Sequence, residues 1–260
     1  MQIYSIKIEN QSVDSHTISV TLLQALLSVL IEGSKGALRL RTEGRSMVRG
    51  APPQWIKSAT TFSMAFKDKQ LQIGSPTLYE SVPELFHENE KMEELQPEST
   101  AIDYFQESLA AVLNNELEDS LYDKALLELL QGFRHTFHQG ADSINFFEEG
   151  GPEITLETIK HFKDLADSIP PSRRVKMAGR LEQVRSNDRT FKLITTPNNI
   201  IVKGITQPMT QKEVQALLGK EVLISGIAFY TASGKTLRIE TDQISLANAR
   251  EEYERVIREL

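Results

Sequence analysis

Two adjacent prolines, Pro170 and Pro171, divide this chain into parts with different periodicity. A proline ring cannot donate a backbone hydrogen bond and pushes the residue before it out of helical geometry, so no helix continues through the pair. Ahead of it, Leu156, Ile159, Phe162, Leu165, Ala166 and Ile169 recur at helical spacing. Beyond it, Val175, Met177, Gly179 and Leu181 alternate with basic or polar residues. The apolar period thus drops from about 3.6 to 2, which predicts a helix followed by strands and a domain boundary between them.

Five strands are expected after the prolines, over 175–181, 191–195, 200–204, 221–229 and 236–244. Turn residues punctuate them at Ser186-Asn187-Asp188, Pro197-Asn198-Asn199 and Ser233-Gly234. A short helix, 211–218, capped by Thr210 and stopped by Gly219, falls between the third and fourth strands. Three strands, a helix and two strands is the order of an OB-fold, although an SH3-like barrel shows much the same alternation. Gly179 and Gly226 sit inside long strands, where a small barrel must bend. The stretches VKMAGRLEQVRSNDRTFKLIT and LLGKEVLISGIAFYTASGKTLRIETDQI also resemble the closing module of a group of bacterial proteins with a small OB-like or SH3-like barrel. More loosely, the resemblance runs through the N-terminal unit. It implies the barrel and brings no catalytic residue, because no function is attached to that group.

The first 85 residues read as a small α+β unit. Tyr4, Ile6 and Ile8 alternate in a strand over 2–8. A helix starts near Ser19 and runs to Gly33, with an extension toward Arg41 that Gly33 and Gly36 weaken by about 1 kcal/mol each. A hairpin through Phe62–Phe66 and Leu71–Ile73 follows. Residues 87–100 are polar, acidic and without apolar period, which predicts a linker. Three helices then lead to Pro170. The fold class is therefore α+β: an N-terminal α+β unit (1–85), an acidic helical segment (86–170), an OB-like five-stranded β-barrel (171–246) and an amphipathic C-terminal helix (247–260).

Charge follows these divisions. Residues 1–85 carry +2, 86–170 carry −14 and 171–260 carry +5, for a net −7. An acidic middle can hold a basic partner or keep nucleic acid away, and it can equally be a solvated helical surface. The absence of cysteine excludes disulfides, thiolate nucleophiles and Cys-ligated zinc. The opening MQIYSIKIENQ has no basic region followed by an apolar one, so a secretory leader is not expected. The most apolar stretch, Leu22–Ile31, is about half the length a membrane-spanning helix needs. A cytoplasmic protein without membrane contact is the expectation.

Several groups are candidates for function. Arg39, Arg41, Arg45 and Arg49 crowd one segment and can grip phosphates with forked hydrogen bonds, or form salt bridges at a helix end. The barrel segment 171–244 carries +6, with Arg173, Arg174, Lys176, Arg180, Arg185, Arg189 and Lys192 forming the basic half of a candidate groove. OB-folds that bind single strands pair such a groove with stacking rings, and only Phe191, Phe229 and Tyr230 are available here. Tyr253, Val256, Ile257 and Leu260 form an apolar stripe on the tail that can dock on its own chain or on a partner. His135, His138 and His161 lack a metal-site pattern, and Glu116, Glu118, Asp119 and Asp123 sit where acids favour a helix start. No phosphate loop, nucleophile elbow or dinucleotide fingerprint is present.

These features predict a non-catalytic binding or regulatory protein, adaptor-like or antitoxin-like, that needs no cofactor or metal. Its expected partner is another protein, a basic one included, or a second copy of itself. The alternative is a nucleic-acid-binding protein that uses the basic barrel and the Arg39–Arg49 region.

Overall fold

A computed structural model describes residues 1–9, 18–67, 70–86, 94–117, 120–146, 151–185, 190–195, 199–206, 211–248 and 258–259. The chain forms two compact units, Met1–Ser168 and Ile169–Leu260.

The first unit is built on an antiparallel sheet with strand order β2-β3-β1-β4-β5. These strands are β1 (Gln2–Glu9), β2 (Ser63–Lys67), β3 (Gln70–Ser75), β4 (Ser143–Phe146) and β5 (Glu153–Ile154). Alternation in β1 turns Tyr4 and Ile6 inward, where Ile6 pairs with Leu71 on one side and Phe146 on the other. Helices cover that inner face. Phe146 meets Phe105 of α4 (Ala101–Leu113) and Phe133 edge-on, with ring centroids 6.4 and 5.5 Å apart. Because β4 lies beside β1, the segments 1–85 and 86–170 share one core.

The long helix α1 (Val20–Glu43) runs straight through Gly33 and Gly36. Both glycines are contact points: a Cβ on Gly33 would lie 2.4 Å from the Phe105 ring, and one on Gly36 would lie 3.2 Å from Ser46 Cβ. Tertiary packing therefore outweighs the local propensity penalty. Gly44, in the left-handed conformation at φ 73°, ends the helix. The short helices α2 (Gln54–Ala59) and α3 (Leu78–Ser81) follow. The second helical stretch is broken into α5 (Lys124–Leu130), a 3-10 turn and α6 (Arg134–His138), and α7 (Leu156–Ser168) completes the layer.

Part of the expected linker is instead well anchored. Leu95 is buried, the Gln96 N–H donates to the Tyr104 hydroxyl at 2.7 Å, and Thr100 forms a capping box with Asp103 at the start of α4. Residues 87–93 lie outside the described residues. The Tyr4 hydroxyl joins this anchor, 2.6 Å from Asp103 Oδ1 and 2.7 Å from Thr100 Oγ1.

The second unit is a closed five-stranded barrel. Its strands are β6 (Arg173–Val184), β7 (Thr190–Thr195), β8 (Ile201–Thr206), β9 (Glu221–Tyr230) and β10 (Thr236–Leu246). They run in the circular order β6-β7-β8-β10-β9-β6, with β8 and β10 parallel and the other pairs antiparallel. Between β8 and β9, α8 (Gln211–Gln215) contributes Val214 to the barrel core. This is the OB arrangement. Closure depends on β6, which pairs with β9 over 173–180 and with β7 over 179–184. Gly179 stands at the crossover, where a Cβ would come within 2.4 Å of the Ile194 carbonyl oxygen.

Most of the helix expected over 247–260 (249–257 and 260) lies outside the described residues, and the described pair Arg258–Glu259 is strand (β11), paired with Lys176 and Val175. The physical reason is the free edge of β6 ahead of Gly179, whose backbone groups accept another strand. Tyr253, Val256, Ile257 and Leu260 lie outside the described residues. Among the described residues, no helix is long and apolar enough to cross a membrane.

Two outcomes follow from this packing. Gly226→Ala would place a Cβ 2.2 Å from the Glu240 carbonyl oxygen, a backbone atom that cannot step aside. The variant should lose more than about 2 kcal/mol in the urea transition of the barrel. Burial and the adjacent Asp103 carboxylate raise the Tyr4 phenol above its ordinary range. A raised folded value keeps its full stabilisation below the unfolded pKa of about 10 and loses it as pH climbs further. Tyr4→Phe should cost about 1–2 kcal/mol at pH 7 through lost hydrogen bonds. Denaturant titrations from pH 8 to 11 should show a shallower alkaline decline in the variant than in the parent.

Candidate functional site

Barrel closure assigns every strand residue to the inside or the outside. On β6, Val175, Met177 and Leu181 enter the core, while Arg174, Lys176 and Arg180 face solvent. Their charges are partly answered: Arg174 Nη2 bonds Asp242 Oδ2, and Arg180 Nη2 lies 2.5 Å from Glu182 Oε1. Arg189 lies outside the described residues.

A different set of cations is brought together on the neighbouring strands. Lys192 of β7 pairs directly with Lys203 of β8, and Lys203 pairs directly with Arg238 of β10. Residues paired in this way project from the same face, so the three make a row on the outer side of the barrel wall, with Lys192 and Lys203 half-buried and Arg238 buried. The row ends on β9, where Phe229 is the partner of Arg238 and the guanidinium sits 3.8 Å from the ring centroid. Arg238 Nε also lies 3.4 Å from Glu240 Oε1. Two residues along, about 7 Å away, Arg180, Ile194 and Ile201 make a second row. Ile201 is 61% exposed and Ile200, just before it, is 52% exposed. Like charges placed opposite one another weaken a sheet by a few tenths to about 1 kcal/mol per pair. Apolar side chains left in water gain nothing for the fold.

Reading the sequence singles out Lys192 among these but misses Lys203 and Arg238. The signal for β8 and β10 as strands is there, but the parallel pairing that sets them side by side is not. The three aromatic candidates are otherwise engaged. Phe191 is inside the barrel, stacked over Gly204 so closely that a Cβ there would fall 2.0 Å from the ring. Phe229 lies beneath Arg238, and Tyr230 packs against the core.

The α1 arginines occupy different environments. Arg41 Nη2 donates to Glu107 Oε2 at 2.5 Å, with its guanidinium 5.6 Å from the Tyr104 ring centroid. Arg45 Nε donates to Glu43 Oε2 at 2.9 Å. Lys35 Nζ donates to Glu32 Oε1 at 2.7 Å. Arg49 is exposed and apart from these pairs. Arg39 is buried, and burial lowers its pKa while Glu43 opposes the shift. So Arg41 and Arg45 hold structural ion pairs, and the four do not form one open anion-gripping patch.

Of the remaining candidates, Glu118 and Asp119 lie outside the described residues, while Asp123 and His161 have partners within the first unit. Asp123 caps α5 by accepting from the Leu126 N–H at 2.9 Å, and accepts from the Ser46 N–H and hydroxyl at 3.0 and 2.5 Å. His161 Nε2 lies 3.1 Å from the Val112 carbonyl oxygen. Among the described residues, no group of three or more His, Asp or Glu is placed to hold a metal.

Replacing Phe229 by Leu removes the ring under Arg238. It should destabilise the barrel by about 1–2 kcal/mol, read from its urea midpoint, because a desolvated cation–π contact is lost. No protein-family model matches this chain, and no curated protein matches it.

Proposed function

We propose that this is a non-catalytic binding protein that acts through protein–protein contacts, and that the outer face of its barrel across β7, β8 and β10 takes an acidic segment of a partner. The observation that carries this reading is the in-register row Lys192–Lys203–Arg238 next to exposed Ile200 and Ile201. A peptide that presents carboxylates beside one or two apolar side chains matches both rows at once. Apolar anchors surrounded by charge are a common basis for specific contacts, with the charges setting encounter rate and register. An adaptor-like or antitoxin-like role is compatible with such a surface.

A second reading, single-stranded nucleic acid on the same face, is favoured by the +6 charge of residues 171–244. The rings that would stack bases are the weak point of this reading, since Phe191 is internal and Phe229 is capped by Arg238.

One experiment separates the two. Fluorescence anisotropy is measured with a labelled peptide of alternating Glu and Leu and with a labelled oligothymidylate, each at 50 and 300 mM salt. The protein reading expects saturable peptide binding that survives high salt in part and weakens at least tenfold in Lys203→Glu. Oligothymidylate binding that collapses with salt, together with no peptide binding, selects the second reading, because phosphate contacts release counterions. Binding of neither probe removes this face from consideration.

A further inference from the structure

Arg39 is the charged residue of α1 that stands out for burial without a partner among the described residues. Only 6% of the residue is exposed. Among the described residues its guanidinium makes no hydrogen bond and no ion pair, whereas Arg41, Arg45 and Lys35 each hold a carboxylate. Glu43, one turn further along the helix and itself buried, has Oε2 committed to Arg45. Arg45 is near enough that its positive charge opposes that of Arg39, and Glu32 and Glu43 act on Arg39 in the other sense.

Charge does not balance here. Arg39, Arg45 and Lys35 face Glu43 and Glu32, leaving one positive charge over. The negative end of the α1 dipole answers about half of it. A guanidinium cannot shed the charge by losing a proton at physiological pH. An uncompensated charge in a site this enclosed is costly, and a buried group without a partner calls for a specific explanation. The group is not sealed either: no Arg39 nitrogen is among the fully enclosed polar atoms that lack a partner. A fixed fork of donors, reachable through a small opening and backed by a second guanidinium, is the arrangement that takes an oxyanion with two parallel hydrogen bonds.

We infer that Arg39, supported by Arg45, forms a binding site for a small oxyanion, a phosphate or carboxylate group, near the C-terminal end of α1. The site belongs to the first unit and is independent of the barrel face. Glu43 is its positioning residue, holding Arg45 through the Nε bond.

The test uses the full chain. Isothermal titration with inorganic phosphate and, separately, with acetate is run against sodium chloride at matched ionic strength, alongside thermal unfolding in the same buffers. Saturable binding of either anion with a raised unfolding midpoint is the expected result, and the anion that binds identifies phosphate or carboxylate as the preferred group. Arg39→Gln and Arg45→Gln should each weaken binding at least tenfold and lose the thermal response, while exposed Arg49→Gln keeps both. Wild-type protein that shows no saturable heat with either anion, and no midpoint change beyond that of chloride, overturns the proposal whether or not the variants fold. Arg39→Gln that binds as tightly as wild type also overturns it.

Discussion

The double use of β6 is the constraint on which the second unit depends. One strand must bond β9 along its first half and β7 along its second, so the chain has to bend sharply between them. Gly179 sits at that bend, too close to the Ile194 carbonyl for any side chain. Gly226 on β9 meets the Glu240 backbone in the same way. With the sheet closed, no strand of the five can slip by one residue without turning its apolar set to water. Inside and outside are thereby settled for the whole barrel, and the surface cations are a consequence of core packing elsewhere.

The first unit rests on a comparable constraint. β1 is the central strand, flanked by β3 from the same segment and by β4 from far along the chain. Its inner residues Tyr4 and Ile6 are covered by helices that must approach closely, and Gly33 against Phe105 is where α1 and α4 do so. The charge contrast between 1–85 and 86–170 does not mark a division of the fold. It is a property of the surface laid over one shared core.

Two positively charged features stand out from this framework for opposite reasons. On the barrel, Lys192, Lys203 and Arg238 are aligned although alignment works against the sheet. Near the end of α1, Arg39 is enclosed although enclosure works against a charge. At Arg39 the folded chain carries an unfavourable electrostatic arrangement that an oxyanion would relieve, whereas the three barrel cations keep partners within the barrel, Glu240 and the Phe229 ring for Arg238 among them. Such local conflicts with stability are where functional surfaces are usually found.

By itself the sequence determined the order and type of most elements. The step from helical to alternating period at Pro170-Pro171, the five strands with their intervening helix and the barrel-bending glycines are all local patterns, encoded within a few residues of one another. The short helix α3 went unread although its capping box, Thr77 with Glu80, is a local signal, and the burial of Leu95 was not legible because the polar residues around it carry no apolar period. Tertiary structure alone decided that α1 passes through Gly33, that β8 lies parallel to β10, and that Lys203 therefore stands beside Arg238. It also decided that Arg39 is enclosed without a partner while Arg41 and Arg45, close by on the same stretch of chain, find carboxylates. Periodicity tells a residue which face it occupies, but sheet closure and helix packing choose its neighbours, and charge has chemical meaning only once those neighbours are set.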